Sequence, residues 1–331
     1  MKKRGLQSSF IILVSVCWFL LPLARPGEVG AAPEKIRLSF GASSTGTWIY
    51  MFCATLADTW KRHIPGLDVT VLATAGTTAN YIPLDKGELD IGGGSGSADW
   101  YALHGMYFTK NKLYNFCTFM PASKSYYHLF TYAESPIQGW KDLEGKKVHV
   151  GARASPTSIN AEEICAALGI KPKFVYSTPT EAIDMMKDRR VDAMIYGTGP
   201  PWSGVMDVAA DRKLKFICMT PQDQKKVNAA SPYLGPMTLP PKTYSFQSEP
   251  CPSVGGVQEV NVRPGLPEDL VYLLAKTGWQ HWDEIVKSLP AANWVRPPDM
   301  ARVIAPLHPG AARYYREVGV QIPDSLVWKK K

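Results

Sequence analysis

A strand-like stretch that runs into small polar residues and then into an apolar-periodic segment recurs along this chain, and that repeat most limits its fold. The first copy is "IRLSF" (36–40), which alternates with period two, followed by "GASSTGTWIY" (41–50). Beyond it Ile49, Phe52, Cys53, Leu56 and Trp60 recur at three- and four-residue spacing until "IPG" stops them. Period two predicts a half-buried strand and period 3.6 an amphipathic helix. A second strand, "LDVTVLA", completes a strand–loop–helix–strand unit. Later copies follow: "TAGTTANY" leads to "LDIGGG" (89–94) and "SGSADWYALHG", "KKVHVGA" runs into "RASPTSINAEEICAALGI", and "FVYSTPTEAIDMM" repeats the form. Ser155 suits an N-cap with Pro156 at the first helical position, and Thr178 suits another, with Pro179 behind it and Glu181 closing a capping box. Such alternation predicts an α/β sheet with crossover helices.

In open α/β sheets ligands lie beyond the carboxyl ends of the strands, where helix N-termini present unpaired N–H groups and partial positive charge. An anion there gains about 0.3–2 kcal/mol per terminus. Several converging loops would therefore hold a carboxylate with few charged side chains. At 331 residues and 45% hydrophobic content the chain can bury a large core, and two domains are expected. Residues 1–32 read as a cleaved secretory signal peptide: Lys2, Lys3 and Arg4 precede an apolar run, and "EVGAAP" offers small residues for cleavage. Pro22 interrupts that run, which is short for a membrane span. Cleavage would lower the formal charge from +8 to +5, with acids interspersed among the bases, so nucleic acid is not an expected partner. The five cysteines beyond it (Cys53, Cys117, Cys165, Cys218, Cys251) form neither a CxxC metal site nor a dense disulfide framework, and their spacing assigns no bridge.

Enzyme motifs are missing. "GGSGS" around Ser95 has Ser97 where a nucleophile elbow needs glycine. There is no phosphate loop and no dinucleotide fingerprint. The six histidines are scattered without metal-ligand spacing, so neither a metal site nor a cofactor is expected. Asp90, Asp99 and Asp192 stand near strand ends, where turn formers are as common as catalytic acids.

The segment from "GASSTGTWIYMFCATLADTWKRHIPGLDVTVLATAGTTANYIPLDKGELDIG" to the near-terminal "IAPLHPGAARYYREVG" resembles the TAXI family, the extracytoplasmic solute receptors of TRAP transporters. "SPIQGWKDLEGKKVHVGA", "EAIDMMKDRRVDAMIYGTGPP" and "NVRPGLPEDLVYLLAK" are similar to its intervening segments in order, across roughly residues 35–320. The resemblance implies a type II periplasmic binding protein fold: two α/β domains with a ligand cleft and two crossover segments, at about 34–131 plus 238–331 and 132–237. It implies no enzyme. The expected activity is periplasmic capture of an organic anion, a carboxylate with an aromatic or apolar body, and its delivery to TRAP membrane permease subunits. A ligand-sensing receptor that signals to a membrane sensor protein and a secreted hydrolase are the alternatives, and the latter needs a nucleophile beside a base.

Carried over residue by residue, the resemblance places Ser43, Ser44 and Thr45 in the first loop, with Thr47 and Trp48 departing from the family pattern. Gly76, Thr77 and Asn80 belong to the second loop, where Asn80 is a candidate for a direct hydrogen bond to the solute. Pro83 implies a kink or a later helix start. "GGGSGSADW", carrying Ser95, replaces bulkier family residues and is expected to open space. In the second domain Arg153 is a candidate bidentate partner for a carboxylate, with Ser155, Thr157 and Pro200 as further ligand-binding candidates. Trp48, Trp100, Tyr101, Tyr126, Tyr127 and Trp202 are candidates for an aromatic wall, although Tyr126 and Tyr127 cannot both face inward from one strand.

Overall fold

The computed structural model describes residues 35–330, so the expected signal peptide lies outside the described residues. The chain opens with β1 (Ile36–Gly41), α1 (Trp48–His63), β2 (Leu67–Leu72), α2 (Tyr81–Lys86), β3 (Ile91–Ser95), α3 (Gly96–His104) and the long strand β4 (Cys117–Tyr132). It continues through β5 (Lys147–His149), α4 (Pro156–Leu168), β6 (Lys173–Val175), α5 (Pro179–Lys187), β7 (Ala193–Thr198), α6 (Ser203–Asp211), β8 (Leu214–Phe216), α7 (Pro221–Ala230), β9 (Gly235–Leu239) and a second long strand, β10 (Cys251–Val262). Helices α8 (Glu268–Gln280), α9 (Trp282–Ser288) and α10 (Pro309–Glu317) close the fold.

Local chemistry sets these elements. Thr47 caps α1 by accepting from the Tyr50 N–H, the helix buries Ile49, Phe52, Cys53, Leu56 and Trp60, and Lys61, Arg62 and His63 occupy its last turn. That distribution suits the helix dipole. Ser155 caps α4 ahead of Pro156, and Thr178 with Glu181 forms the expected capping box on α5. Pro83 falls in the first turn of α2, which starts only after a 3-10 turn over Thr77–Asn80. Its missing N–H lacks an intrahelical partner there anyway, so the helix starts late instead of kinking.

The strands form one sheet in the order β2-β1-β3-β10-β4-β7-β5-β6. β1 pairs parallel with β2 and β3, and β5 pairs parallel with β6 and β7. Between these groups run β4 and β10, antiparallel to each other. β10 pairs with β9 over 251–255 and with β3 over 258–262, while β4 pairs with β7 over 126–130. Each long strand therefore passes from one parallel group to the other. One core lies around Phe40, Phe52, Trp60 and Phe119, with the Trp60 indole N–H donating to the Leu274 carbonyl at 2.9 Å. The β7 end has a core on each face, because alternate residues point oppositely: Ile195 and Leu129 join Val148 and Ile164, whereas Met194 and Phe130 join Trp202 and Tyr244. A disulfide joins Cys218 to Cys251, and Cys53, Cys117 and Cys165 are free and buried. Among the described residues no helix is long and apolar enough to cross a membrane.

Candidate functional site

The turns that follow β1, β2, β3, β5, β6 and β7 open on one cavity of ≈ 100 Å³. Three residues of its lining, Thr47, Ser95 and Ser155, are helix N-caps, whose side-chain oxygens accept from the N–H groups of Tyr50, Ala98 and Ser158 at 3.3, 3.3 and 3.2 Å. An α-helix leaves its first four N–H groups without intrahelical partners. α1, α3 and α4 thus direct their positive ends at one small volume. Among the described residues, the lining contains no Asp, Glu, Lys, Arg or His. It does contain Ser43, Thr77, Ser125 and Thr198, all buried, and no protein group hydrogen-bonds to their hydroxyls among the described residues. Gln258, also in the lining, has its Oε1 buried and unpartnered. The Gln258 amide oxygen can accept a hydrogen bond from a group in the cavity, and the four hydroxyls can donate or accept one there. Helix N-termini and hydroxyls together suit an anion.

Of the residues expected here, Ser43, Ser44, Thr47, Trp48, Gly76, Thr77, Ser95, Ser155 and Thr157 line the cavity. Thr45, Asn80, Arg153 and Pro200 do not. Thr45 is exposed at the outside of its turn, and Pro200 is buried next to the cis peptide bond Pro200-Pro201. Asn80 works as a brace: its Nδ2 donates to the carbonyls of Gly41, Ala42 and Gly93 at 3.0, 3.0 and 2.8 Å. With both amide hydrogens committed to backbone, Asn80 braces the first loop, while its Oδ1 is buried without a protein partner. Arg153 is exposed, its guanidinium 4.0 Å above the Tyr176 ring in a shallow depression beside the cavity. A cation–π contact at the surface replaces the expected carboxylate pair.

Glycines of β1 and β3 also make close contacts. A Cβ on Gly94 would lie 2.6 Å from Asn261 Nδ2 and 2.7 Å from Tyr81 Oη, and one on Gly41 would lie 2.6 Å from Asn80 Oδ1. These positions admit neighbouring side chains over the strands, while Gly94, Ser95 and Ser97 also line the cavity.

Sequence patterns missed Ser97, Ser125, Asn160, Tyr196, Thr198, Tyr233 and Gln258, all part of the wall. The available signal was position: Tyr196 and Thr198 end the strand before "GPP", and Ser97 opens a helix. Of the aromatic candidates, Trp48, Tyr127 and Trp202 line the cavity, and Trp202 stacks on Tyr196 at 4.2 Å. Tyr126 turns away and donates to the Cys251 carbonyl at 2.8 Å, as strand alternation requires.

This aromatic wall hangs on a buried histidine. The Trp202 N–H donates to Tyr244 Oη at 2.8 Å, which lies 2.8 Å from His128 Nε2, while His128 Nδ1 is 3.2 Å from the Tyr196 carbonyl. That pattern assigns the proton of a neutral ring to Nδ1. Burial lowers the His128 pKa from 6.5 to about 4, so between these values the unfolded chain binds more protons than the fold. His128 therefore costs no stability near pH 7 and up to about 3 kcal/mol as the pH falls through 6.5 to 4. His128→Gln, which can both accept from Tyr244 and donate to Tyr196, is expected to remove this acid-side loss. Urea unfolding of both proteins at pH 7.5 and pH 5 checks it, since equal losses in the two would exclude His128 as the source.

The three aspartates considered at strand ends stay out of the cavity. Asp90 pairs with Arg263 at 2.7 Å, Asp192 accepts from the Lys147 N–H at 2.8 Å, and Asp99 is buried in the first turn of α3. His63 and His281 meet on the surface, rings stacked at 3.5 Å, with Glu284 beside them but already bound by Arg62 at 2.8 Å. Face-stacked imidazoles direct their lone pairs in parallel planes, so these rings would have to turn to share an ion.

Two solved structures place this architecture. MatC from Rhodopseudomonas palustris with bound malate aligns at a TM-score of 0.56 with 14% identity, covering 86% of this chain and 97% of that one. The periplasmic binding protein BugD aligns at 0.53 with 14% identity, covering 87% and 99%. At such identity the likeness speaks for the fold, which is that of a type II periplasmic binding protein. The model of the NMT1-like family matches residues 40–319, nearly the whole of this sheet and every loop at the cavity, and the chain belongs to that family.

Proposed function

We propose that this protein is a non-enzymatic solute receptor that captures a small organic anion in the cavity. The observation that carries the reading is the pairing of three capped helix N-termini with hydroxyls that have no protein partner, in a lining without a charged side chain. Carboxylate oxygens accept from both kinds of donor, and the stacked Tyr196 and Trp202 offer a face for an apolar body. Ser43, Ser44, Thr47, Trp48, Gly76, Thr77, Ser95, Ser155 and Thr157 are the proposed binding residues, joined by Ser125, Thr198 and Gln258. The cavity is small against the roughly 300–1,000 Å³ of drug-sized sites, which favours short acids. We place the receptor in the periplasm after signal cleavage, in keeping with the Cys218–Cys251 bridge. The resemblance to TAXI sequences makes TRAP permease subunits the proposed recipients. The two lobes meet, on this reading, within β4, which contains the boundary at 131 expected from sequence, and within β10, which starts at 251 and so follows the boundary expected at 237.

A thermal-shift screen with malate and other short carboxylates tests the proposal. A ligand present at a hundred times its Kd adds about 2.7 kcal/mol to native stability. Thr198→Val and Thr77→Val then separate binding from folding. Because neither hydroxyl has a protein partner, the unliganded melting point should hold within about 2 °C, while affinity for the hit falls roughly tenfold. Unchanged affinity in both variants would remove these hydroxyls from the site, and a screen in which only neutral compounds bind would refute the anion reading.

A further inference from the structure

One wall of the cavity is made where α3 meets α4, and the carboxylate of Glu163 stands just behind it. Four hydroxyls converge on this group. Tyr101 of α3 lies 2.9 Å from its Oε2, Tyr107 beyond the end of α3 lies 2.7 Å from its Oε1, and Tyr233 and Ser231 approach Oε2 at 2.5 and 3.3 Å. One turn earlier on the same helix face, Asn160 takes the Tyr101 hydroxyl on Oδ1 at 2.6 Å and gives Nδ2 to Ser97 Oγ at 3.1 Å and Tyr127 Oη at 2.5 Å. Tyr101 has one hydroxyl proton for two acceptors, so Asn160 and Glu163 share it and act together. Ser97, Tyr127, Asn160 and Tyr233 all line the cavity.

The donors come from both sides of the division into lobes. Tyr101 and Tyr107 belong to the stretch before residue 131, whereas Glu163, Ser231 and Tyr233 belong to the stretch between 132 and 237. The rings of Tyr107 and Tyr233 pack edge-on against Tyr101 at 4.6 and 5.3 Å. Tyr107 keeps this contact although it is largely exposed and held at φ 55°, in the left-handed region that favours glycine. No cation contacts the carboxylate among the described residues, so hydroxyls alone meet its charge. Such bonds exchange readily with water, and their net contribution is modest compared with their number, which suits a contact that must open and close.

We propose that Glu163 is a positioning residue that clamps α3 to α4, holding the cavity wall closed and setting how long a captured solute stays. This rests on the solute-receptor reading. Hinge opening would draw Tyr101 and Tyr107 off the carboxylate, and a protein that spends less time closed binds proportionately more weakly.

The test uses the purified mature chain, Glu163→Gln and Tyr107→Phe. The second variant deletes one exposed hydroxyl, so it keeps the experiment decisive should the first fail to fold. Hydrogen exchange of the unliganded proteins is read at α3 and, as a control, at α1 and α8. Faster exchange confined to α3 is expected in both variants. With a carboxylate found by thermal shift, stopped-flow release should quicken roughly tenfold in Glu163→Gln and less in Tyr107→Phe, with association little changed. Unaltered exchange at α3 in the variants overturns the clamp whatever the solute does. If no carboxylate binds the unaltered protein, the anion reading falls, and the exchange comparison still decides the clamp.

Discussion

Asp99→Ala is expected to lower the melting point by roughly 10 °C, while Glu259→Gln leaves it within a few degrees at neutral pH. Asp99 is fully buried and accepts from Tyr81 Oη, Asn261 Nδ2 and Thr118 Oγ1 at 2.5, 2.8 and 3.1 Å. Glu259, itself buried, lies 3.1 Å from the same Thr118 hydroxyl. Two carboxylates this close in a dry environment cannot both ionise. Burial first, and then the Asp99 charge, raise the Glu259 pKa well above its ordinary value, so Glu259 keeps a proton and donates it to Asp99. Alanine at 99 strands these donors at a cost of about 3–5 kcal/mol, and a chain of this size loses about 2–4 °C per kcal/mol. Glutamine at 259 supplies an N–H where the acid supplied its O–H. The pH dependence is the sharper discriminator. A carboxyl whose folded pKa is raised contributes stability that is fully present below its unfolded pKa and is lost as the pH rises. The unaltered protein should therefore lose more stability than Glu259→Gln between pH 5 and pH 9, and parallel melting curves for the two would show that Glu259 holds no proton. This slope opposes that of His128, so each is measured against its own variant.

Loss of the Cys218–Cys251 bridge is the second large effect expected, about 3–4 kcal/mol for a closed loop of 33 residues. The bridge joins the segment after β8 to the start of β10 and so encloses α7 and β9. Cutting it frees that excursion in the unfolded chain, whose entropy rises more than that of the fold. Melting the protein with and without a thiol reductant, and melting Cys218→Ala/Cys251→Ala, should both give a midpoint lower by roughly 10 °C. Burial raises the Cys165 thiol to about 12 and pushes Cys53 and Cys117 upward as well. These three should therefore stay unreactive towards a thiol reagent until the protein unfolds. A reductant without effect on the midpoint would mean that the bridge contributes nothing.

Much of the fold was legible in the residues themselves. Thr178 with Glu181, and Ser155 before Pro156, cap their helices as read, because a cap is a contact between residues three apart in sequence. The periodicity at Ile49, Phe52, Leu56 and Trp60 marked the buried face of α1, because a helix repeats its geometry every 3.6 residues. The loops beyond β1, β2, β3 and β5 could be named as cavity wall for the same reason, since strand and helix patterns show where each loop must lie. What those loops do was a different matter. Asn80 has the chemistry to meet a ligand, yet its amide hydrogens are taken by carbonyls 39, 38 and 13 residues away. Arg153 has the charge to pair with an acid, yet the packing of Tyr176 holds it outside.

The chain's sequence by itself determined its α/β alternation and its helix starts, because these depend on neighbours within a few residues. Only the tertiary structure decided that Cys218 pairs with Cys251, that Asp99 and Glu259 share one buried site, and that Tyr101 and Tyr107 reach Glu163. Those contacts join positions 33 to 160 residues apart, and β4 and β10 bring them together by carrying the chain between the two parallel groups of strands. No local pattern encodes a distance of that kind, and the unpartnered hydroxyls of the cavity exist only once it is closed.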